Sequence, residues 1–214
     1  MELERAEAIV LRTQPVTESS LIVTWFTREF GKLKTMAKGA RRPKSPVRGK
    51  IDLFYVDEIV FLRSRRSDLH LLHDCYLENP HVKLRESVRK LAAASYACEL
   101  VEIATEPEDA SPKIFELLCE VLDVLERRSD DALLIWFELQ LLAAAGWKPK
   151  WSASGNTSKL LGSLATTSLA GAQRVRLSEA QVVEARQMVA RFWDAYIGKV
   201  PRSQKLWVSQ KIGH

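Results

Sequence analysis

The chain has 214 residues, 46% hydrophobic and 28% charged, with a formal net charge of +5. That is enough chain to bury a core, with the balance of a soluble globular protein. No apolar run approaches the ~20 residues needed to cross a bilayer, which excludes a membrane-spanning helix. The start, Met1-Glu2-Leu3-Glu4-Arg5-Ala6-Glu7, is acidic where a signal peptide is basic and then apolar, so a cytoplasmic location is expected.

Residues 6–78 read as β. Ala8 to Arg12 is a first strand, broken by Pro15 to Ser19. Ser20 to Thr27 is a second, rich in β-branched and aromatic residues. Glu29-Phe30-Gly31-Lys32 turns the chain into a third strand that alternates Leu33, Thr35 and Ala37 with Lys32, Lys34, Met36 and Lys38. Gly, Pro and Ser then interleave with Arg41, Arg42, Lys44, Arg48 and Lys50, the pattern of a mobile loop. Ile51 to Leu62 reads as a long fourth strand, Arg63 to Asp68 as a polar turn, and Leu69 to Tyr76 as a fifth strand. Five short strands with no helical period between them predict a small closed barrel of the OB-fold kind over residues 1–79.

Near Pro80 the period lengthens from 2 to 3.6. Ser87 to Ile103 reads as a helix with Leu91, Ala94, Cys98 and Val101 inward. Ser111-Pro112 opens a second, Asp130 caps a third ending at Gly146, and Ser178-Glu179 opens a last one to Ile197. Residues 147–177, rich in Ser, Thr, Gly and Ala, have no clean period and are expected to form an irregular insertion in a helical domain spanning 80–214. Trp207 is expected to dock the tail. The class is α+β, a barrel followed by a helical domain.

Charge is unevenly spread. Residues 1–50 carry eleven Lys and Arg against five acids, while residues 51–80 carry three against six. From Arg28 to Lys50 there are nine cations and one acid, Glu29. A cationic strand running into a cationic loop offers many donors to one polyanion, and nucleic-acid phosphate fits best. The candidate contacts are Lys32, Lys34, Lys38, Arg41, Arg42, Lys44, Arg48 and Lys50. Nearby rings (Trp25, Phe26, Phe30, Phe54, Tyr55, Phe61) either stack on bases or fill the barrel; core is favoured for Trp25 and Phe61. On a strand His70 and His73 face opposite ways, so they cannot chelate together. The three cysteines (Cys75, Cys98, Cys119) contain no CxxC pair and read as small core residues. No metal or other cofactor is expected. The phosphate-loop, nucleophile-elbow, dinucleotide and zinc-protease patterns are all missing, so catalysis is not expected. Trp136, Phe137, Trp147 and Trp151 are rich enough in rings to be either core or a groove for a partner peptide.

The run Glu18-Ser19-Ser20-Leu21-Ile22-Val23-Thr24-Trp25-Phe26-Thr27-Arg28-Glu29-Phe30-Gly31-Lys32, with Ala37-Lys38-Gly39-Ala40-Arg41-Arg42-Pro43-Lys44-Ser45, strongly resembles the N-terminal signature of the RecO family of bacterial DNA repair proteins. Phe137-Glu138-Leu139-Gln140-Leu141-Leu142 with Gly146-Trp147, and Gly198-Lys199 to Arg202-Ser203, extend the likeness more loosely. The resemblance implies an OB-fold, a helical domain and a nucleoid-associated recombination mediator without turnover. Such a protein binds single- and double-stranded DNA, anneals complementary strands, and binds the acidic tail of single-strand-binding protein. With RecR, and often RecF, it helps load RecA onto coated gaps. The chain departs from the family in three places. No cysteine stands in 147–177, where many relatives carry a four-cysteine zinc module. Ile135-Trp136 replaces a basic residue before the Phe-Glu-Leu motif. Leu53 replaces the usual proline before the aromatic of the fourth strand. Two other readings remain: a general OB-type module for single-stranded nucleic acid, and a helical adaptor whose basic loop contacts an acidic protein.

Overall fold

The computed structural model describes residues 2–147, 149, 155–199, 201–203 and 207. Its β-branched and alternating runs become five strands: β1 (Leu3–Pro15), β2 (Leu21–Thr27), β3 (Gly31–Ala37), β4 (Val56–Leu62) and β5 (Leu69–Asn79). They close into a barrel in the order β1-β2-β3-β5-β4, with β3 and β5 parallel and every other neighbouring pair antiparallel. Closure removes the exposed edges that an open sheet would present. Along β3, Leu33, Thr35 and Ala37 are buried while Lys34 is exposed, the alternation that the sequence predicts. Val23, Trp25, Leu33, Ile59, Phe61, Leu72 and Cys75 fill the interior. The Trp25 indole donates to Thr35 Oγ1 at 2.8 Å, so the polar group of a buried ring is satisfied.

The fourth strand is shorter than its sequence suggests. Phe54 takes φ +70°, and the Tyr55 amide donates to the Asp52 carbonyl at 3.2 Å. Residues 51–55 are therefore a turn, although they carry strand-like residues. Phe54 and Tyr55 still bond to the main chain of Val10 at 3.0 Å, beside the irregularity in register between Val10 and Arg12.

The barrel forms a compact unit of residues 1–82 together with 105–116, and the helices form a second unit of 83–104 and 117–214. Segment 105–116 is held to the barrel by side chains and by close backbone approach. The Glu108 amide donates to the Lys32 carbonyl at 2.9 Å. Phe115 stacks on Phe26 with centroids 6.4 Å apart, and Arg28 bonds Glu116 at 3.0 Å. Gly31 has φ +66°, and a Cβ there would sit 2.0 Å from the Asp109 carbonyl oxygen. Only glycine fits both demands.

The helical unit contains α1 (Val88–Ala104), α2 (Pro112–Leu125, begun in the barrel unit), α3 (Asp131–Ala144), α4 (Asn156–Thr166), α5 (Leu169–Ala172) and α6 (Glu179–Ile197). α3 packs against α1, α4, α5 and α6 and is buried on nearly every side. The Asp130 side chain caps it by accepting from the Leu133 amide at 3.0 Å. In α1, Leu91 lies outward, whereas Ala94, Cys98 and Val101 are buried as expected. Ser178 and Gln181 close a capping box on α6.

The irregular insertion expected over 147–177 is in part helical. Thr157, Leu161 and Leu164 form a short buried stripe on α4. Side chains of α3 hold the end of that helix: Trp136 Nε1 donates to the Thr167 carbonyl at 2.8 Å and Gln140 Nε2 to Ala165 at 2.9 Å. Ser and Thr between the apolar residues hide so short a stripe from a sequence reading. The described tail residues dock, Trp207 among them as expected. Glu99 accepts the amides of Arg202 and Ser203 at 2.9 and 2.8 Å. Trp207 is 3% exposed, under the guanidinium groups of Arg89 and Arg186 at 4.9 and 5.4 Å. Glu138 is buried beside Tyr96 and Arg186 and accepts from Trp193 Nε1 at 3.1 Å. Burial raises its carboxyl to about 7 despite those hydrogen bonds.

Candidate nucleic-acid interface

Alternation puts Lys34 and Met36 on the outside of β3, with exposed Lys38 just past its end, and register decides what stands beside them. Lys34 pairs with Thr24, and Thr24 pairs in turn with Arg12 of β1. Arg12 and Lys34, both exposed, therefore lie two strand spacings apart, about 10 Å. Met36 pairs with Ile22, which pairs with Gln14. Closure by the parallel β3–β5 pair brings the β4–β5 turn to this side: Lys34 is opposite Leu69, and its ammonium lies 3.9 Å from Asp68. Arg65 and Arg66 in that turn are exposed. Arg12, Arg65 and Arg66 were not among the sequence candidates; only the strand register and closure signal them.

The loop after β3, expected to be mobile, is a succession of turns. Arg42 bonds back to Gly39, Ser45 to Arg42, Arg48 to Ser45 and Lys50 to Val47, at 3.0 to 3.2 Å. Ala40 and Val47 are buried against the barrel core, which leaves Arg41, Arg42, Lys44 and Arg48 exposed. Gly39, at φ +67°, starts the turns, and the Arg42 stem passes 3.4 Å from where its Cβ would be. The Arg41 amide donates to the Ser19 carbonyl at 3.0 Å, tying the loop to the β1–β2 connection. Thr17, Ser20, Met36, Lys38, Gly39 and Arg42 line an open cleft of about 490 Å³, with hydroxyl and cationic donors at its walls. Lys50 ends the loop, its ammonium 5.6 Å from the Tyr76 ring.

Lys32 does not join this group. Its ammonium donates to the Thr105 carbonyl at 2.6 Å, because its place on β3 is beside segment 105–116 rather than the open loop. The rings also divide. Trp25, Phe26 and Phe61 are wholly buried, Phe54 is 1% exposed, and Phe30 packs edge-on to Phe61 at 5.7 Å. His70 is buried and His73 exposed. Cys75 and Cys98 are buried, and Cys119 is half-buried. Among the described residues no group of His, Cys, Asp and Glu could hold a metal ion.

The other side of the barrel has the opposite charge. Glu7 and Glu58 are register partners, and with Arg5, Glu29 and Glu78 they line a cleft of about 280 Å³. Burial, then Glu7 and Glu58, raises the Glu78 carboxyl. Asp57 is wholly buried, and burial raises it to about 7, partly offset by the Cys75 thiol. Burial and Asp57 in turn raise Cys75.

The groove suggested at Trp136 and Phe137 does not form there. α3 is the centre of its bundle, so Trp136 is 4% and Phe137 0% exposed. Trp147 reaches the surface at 37% exposure, edge-on to Phe192 at 6.5 Å. Trp151 lies outside the described residues.

The family profile described as Recombination protein O N terminal matches residues 1–81, and Recombination protein O C terminal matches 85–159. The chain belongs to the RecO family. Relatives named DNA repair protein RecO include that of Syntrophus aciditrophicus, 33% identical over 68% of this chain and 56% of the relative. That of Pelotomaculum thermopropionicum is 35% identical over 70% of the chain and 57% of the relative. That of Chloroherpeton thalassium is 30% identical over 74% and 62%. The chain thus spans 56% to 62% of the length of these RecO relatives. The RecO fold, an OB-type barrel followed by helices, is the one found here. Among the described residues no helix is long and apolar enough to cross a membrane.

Proposed function

We propose that this chain is a DNA repair and recombination mediator without catalytic turnover, acting in the cytoplasm at the nucleoid. In this reading the barrel grips the phosphates of single- and double-stranded DNA through Lys34, Lys38, Arg41, Arg42, Lys44, Arg48 and Lys50, aided by Arg12, Arg65 and Arg66. The observation that carries it is the convergence of cations from β1, β3, the loop after β3 and the β4–β5 turn on one side of the barrel, with the acidic cluster elsewhere. Neutralising two backbones lowers the repulsion between complementary strands, so annealing is accelerated without ATP. The relatives' printed name, DNA repair protein RecO, supports the repair role. The family resemblance supports RecR and RecF as partners, the loading of RecA onto coated DNA, and recognition of the acidic tail of single-strand-binding protein. Trp147, which reaches the surface edge-on to Phe192, is the candidate ring for that tail among the described residues.

The test is annealing of two complementary oligonucleotides followed by fluorescence across a salt series, with wild type and the Arg41→Glu/Arg42→Glu variant. Fast, salt-sensitive annealing that the variant loses is the expected result. Binding without annealing would favour a general OB-type module. No binding to free oligonucleotides at moderate salt would leave the adaptor reading. Capture of purified RecR tests that partnership separately.

A further inference from the structure

Proteins that hold single strands by their bases do so with aromatic rings at the surface, each stacked base multiplying affinity by roughly 5- to 150-fold. In this barrel the rings are engaged elsewhere. Trp25 is inside, bonded to Thr35. Phe61 stacks on His70 at 5.4 Å. Phe30 lies under the Arg63 guanidinium at 5.0 Å, and Phe26 under Phe115. Tyr55 is half-buried against the core. Between Arg12, Lys34 and Lys38 the same side of the strands holds Gln14, Ile22, Met36 and a buried Thr24, which have no π face to offer. The exposed rings among the described barrel residues are the His73 imidazole and Tyr76, the latter at 45%. The Tyr76 ring is already engaged: the Lys50 ammonium lies 5.6 Å from its centroid, its hydroxyl donates to Asp74 at 2.8 Å, and it is the register partner of Glu58.

We infer, resting on the reading of this face as a DNA interface, that it is blind to bases. It holds a nucleic acid by its phosphodiester backbone alone and leaves the bases of a bound strand unstacked on protein and open to a complement. Cations, hydroxyls and the turn-rich loop give donors for phosphate; beyond the small His73 imidazole and a Tyr76 ring beside Lys50, the outer face of the described barrel gives no platform for a base. Such an interface suits annealing, because no protein–base stack has to break before the strands pair.

The experiment compares the full chain binding three ligands across a salt series: a 30-nucleotide single strand, an abasic strand of the same length, and inorganic polyphosphate. The abasic strand should bind within about threefold of the normal one, with the same log–log salt slope. Polyphosphate should compete with both. His73→Ala and Tyr76→Ala should each leave affinity for the normal strand within about twofold. A loss of tenfold or more on removing the bases, or on removing either ring, would overturn the inference while leaving the DNA interface in place. Failure of all three ligands to bind would overturn the DNA reading and this inference with it.

Discussion

Lys32 and Lys34 stand two residues apart on the same face of the same strand, yet the structure gives them different work. Lys32 donates to the Thr105 carbonyl, and with Arg28 and Arg63 it belongs to a set of cations engaged by segment 105–116: Arg28 by Glu116 and Arg63 by Glu108. Lys34 faces solvent, its nearest acid 3.9 Å away on an Asp68 side chain that is 77% exposed, a pair worth little. Around it lie Arg12, Lys38, Arg41, Arg42 and the β4–β5 turn. One barrel thus carries two cationic groups, one closing the fold and one open to a polyanion. A charge count along the chain merges them; the position of segment 105–116 separates them.

The largest effect should come from breaking the closed group at its tightest point. Gly31→Ala puts a Cβ at 2.0 Å from the Asp109 carbonyl oxygen and forces φ +66° on alanine. The variant should lose about 3 kcal/mol or more of stability, read from urea unfolding. An alanine variant as stable as wild type would mean that segment 105–116 does not sit on Gly31. The open group should respond in the other observable. Arg41→Glu/Arg42→Glu should weaken DNA binding about 100-fold near 0.1 M salt and lower the log–log salt slope by about 2, with the unfolding midpoint little changed. An unchanged slope would remove these residues from the interface.

Much of the fold was legible because its signals are local. The alternation of Leu33, Thr35 and Ala37 with Lys32, Lys34 and Met36 fixes which face of β3 is wet, and Asp130 and Ser178 announce the helices they cap. The misreadings have nonlocal causes. Ile51 to Tyr55 has strand residues but a Phe54 at positive φ. α4 shows only a brief stripe, and its end is held by Trp136 and Gln140 from α3. Of the candidate interface, the loop cations were plain from composition. The loss of Lys32 to Thr105 and the gain of Arg12, Arg65 and Arg66 depend on contacts tens of residues away in sequence, which no window along the chain contains.

Asp57 offers a test inside the barrel. Burial raises its folded pKa to about 7, above the ordinary carboxyl value of 3.8, so between those limits the folded chain holds a proton that the unfolded chain releases. The protonated carboxyl's contribution is full below pH ~4 and is lost as pH rises to about 7. Asp57→Asn removes that dependence. Relative to wild type it should gain of the order of 2 kcal/mol as pH goes from 5 to 8, measured from urea midpoints at the two pH values. An equal difference at both would mean that the carboxyl is ionised in the folded barrel at either pH.

The smallest effects make the sharpest comparison. Lys32→Ala removes the donor to the Thr105 carbonyl and should cost about 1 kcal/mol of stability, with DNA affinity and its salt slope unchanged. Lys34→Ala should do the reverse: an unchanged unfolding midpoint, a severalfold loss of DNA affinity, and a salt slope smaller by about 0.9 on a duplex. The two variants differ by one alternation step on one strand and carry the same change of charge, so any general effect of net charge cancels between them. If both lowered the salt slope equally, the division between a closing and an open group of cations would fail. If the slope moved for Lys34 alone, phosphate recognition would begin at the second lysine of β3 and run into the turns that follow.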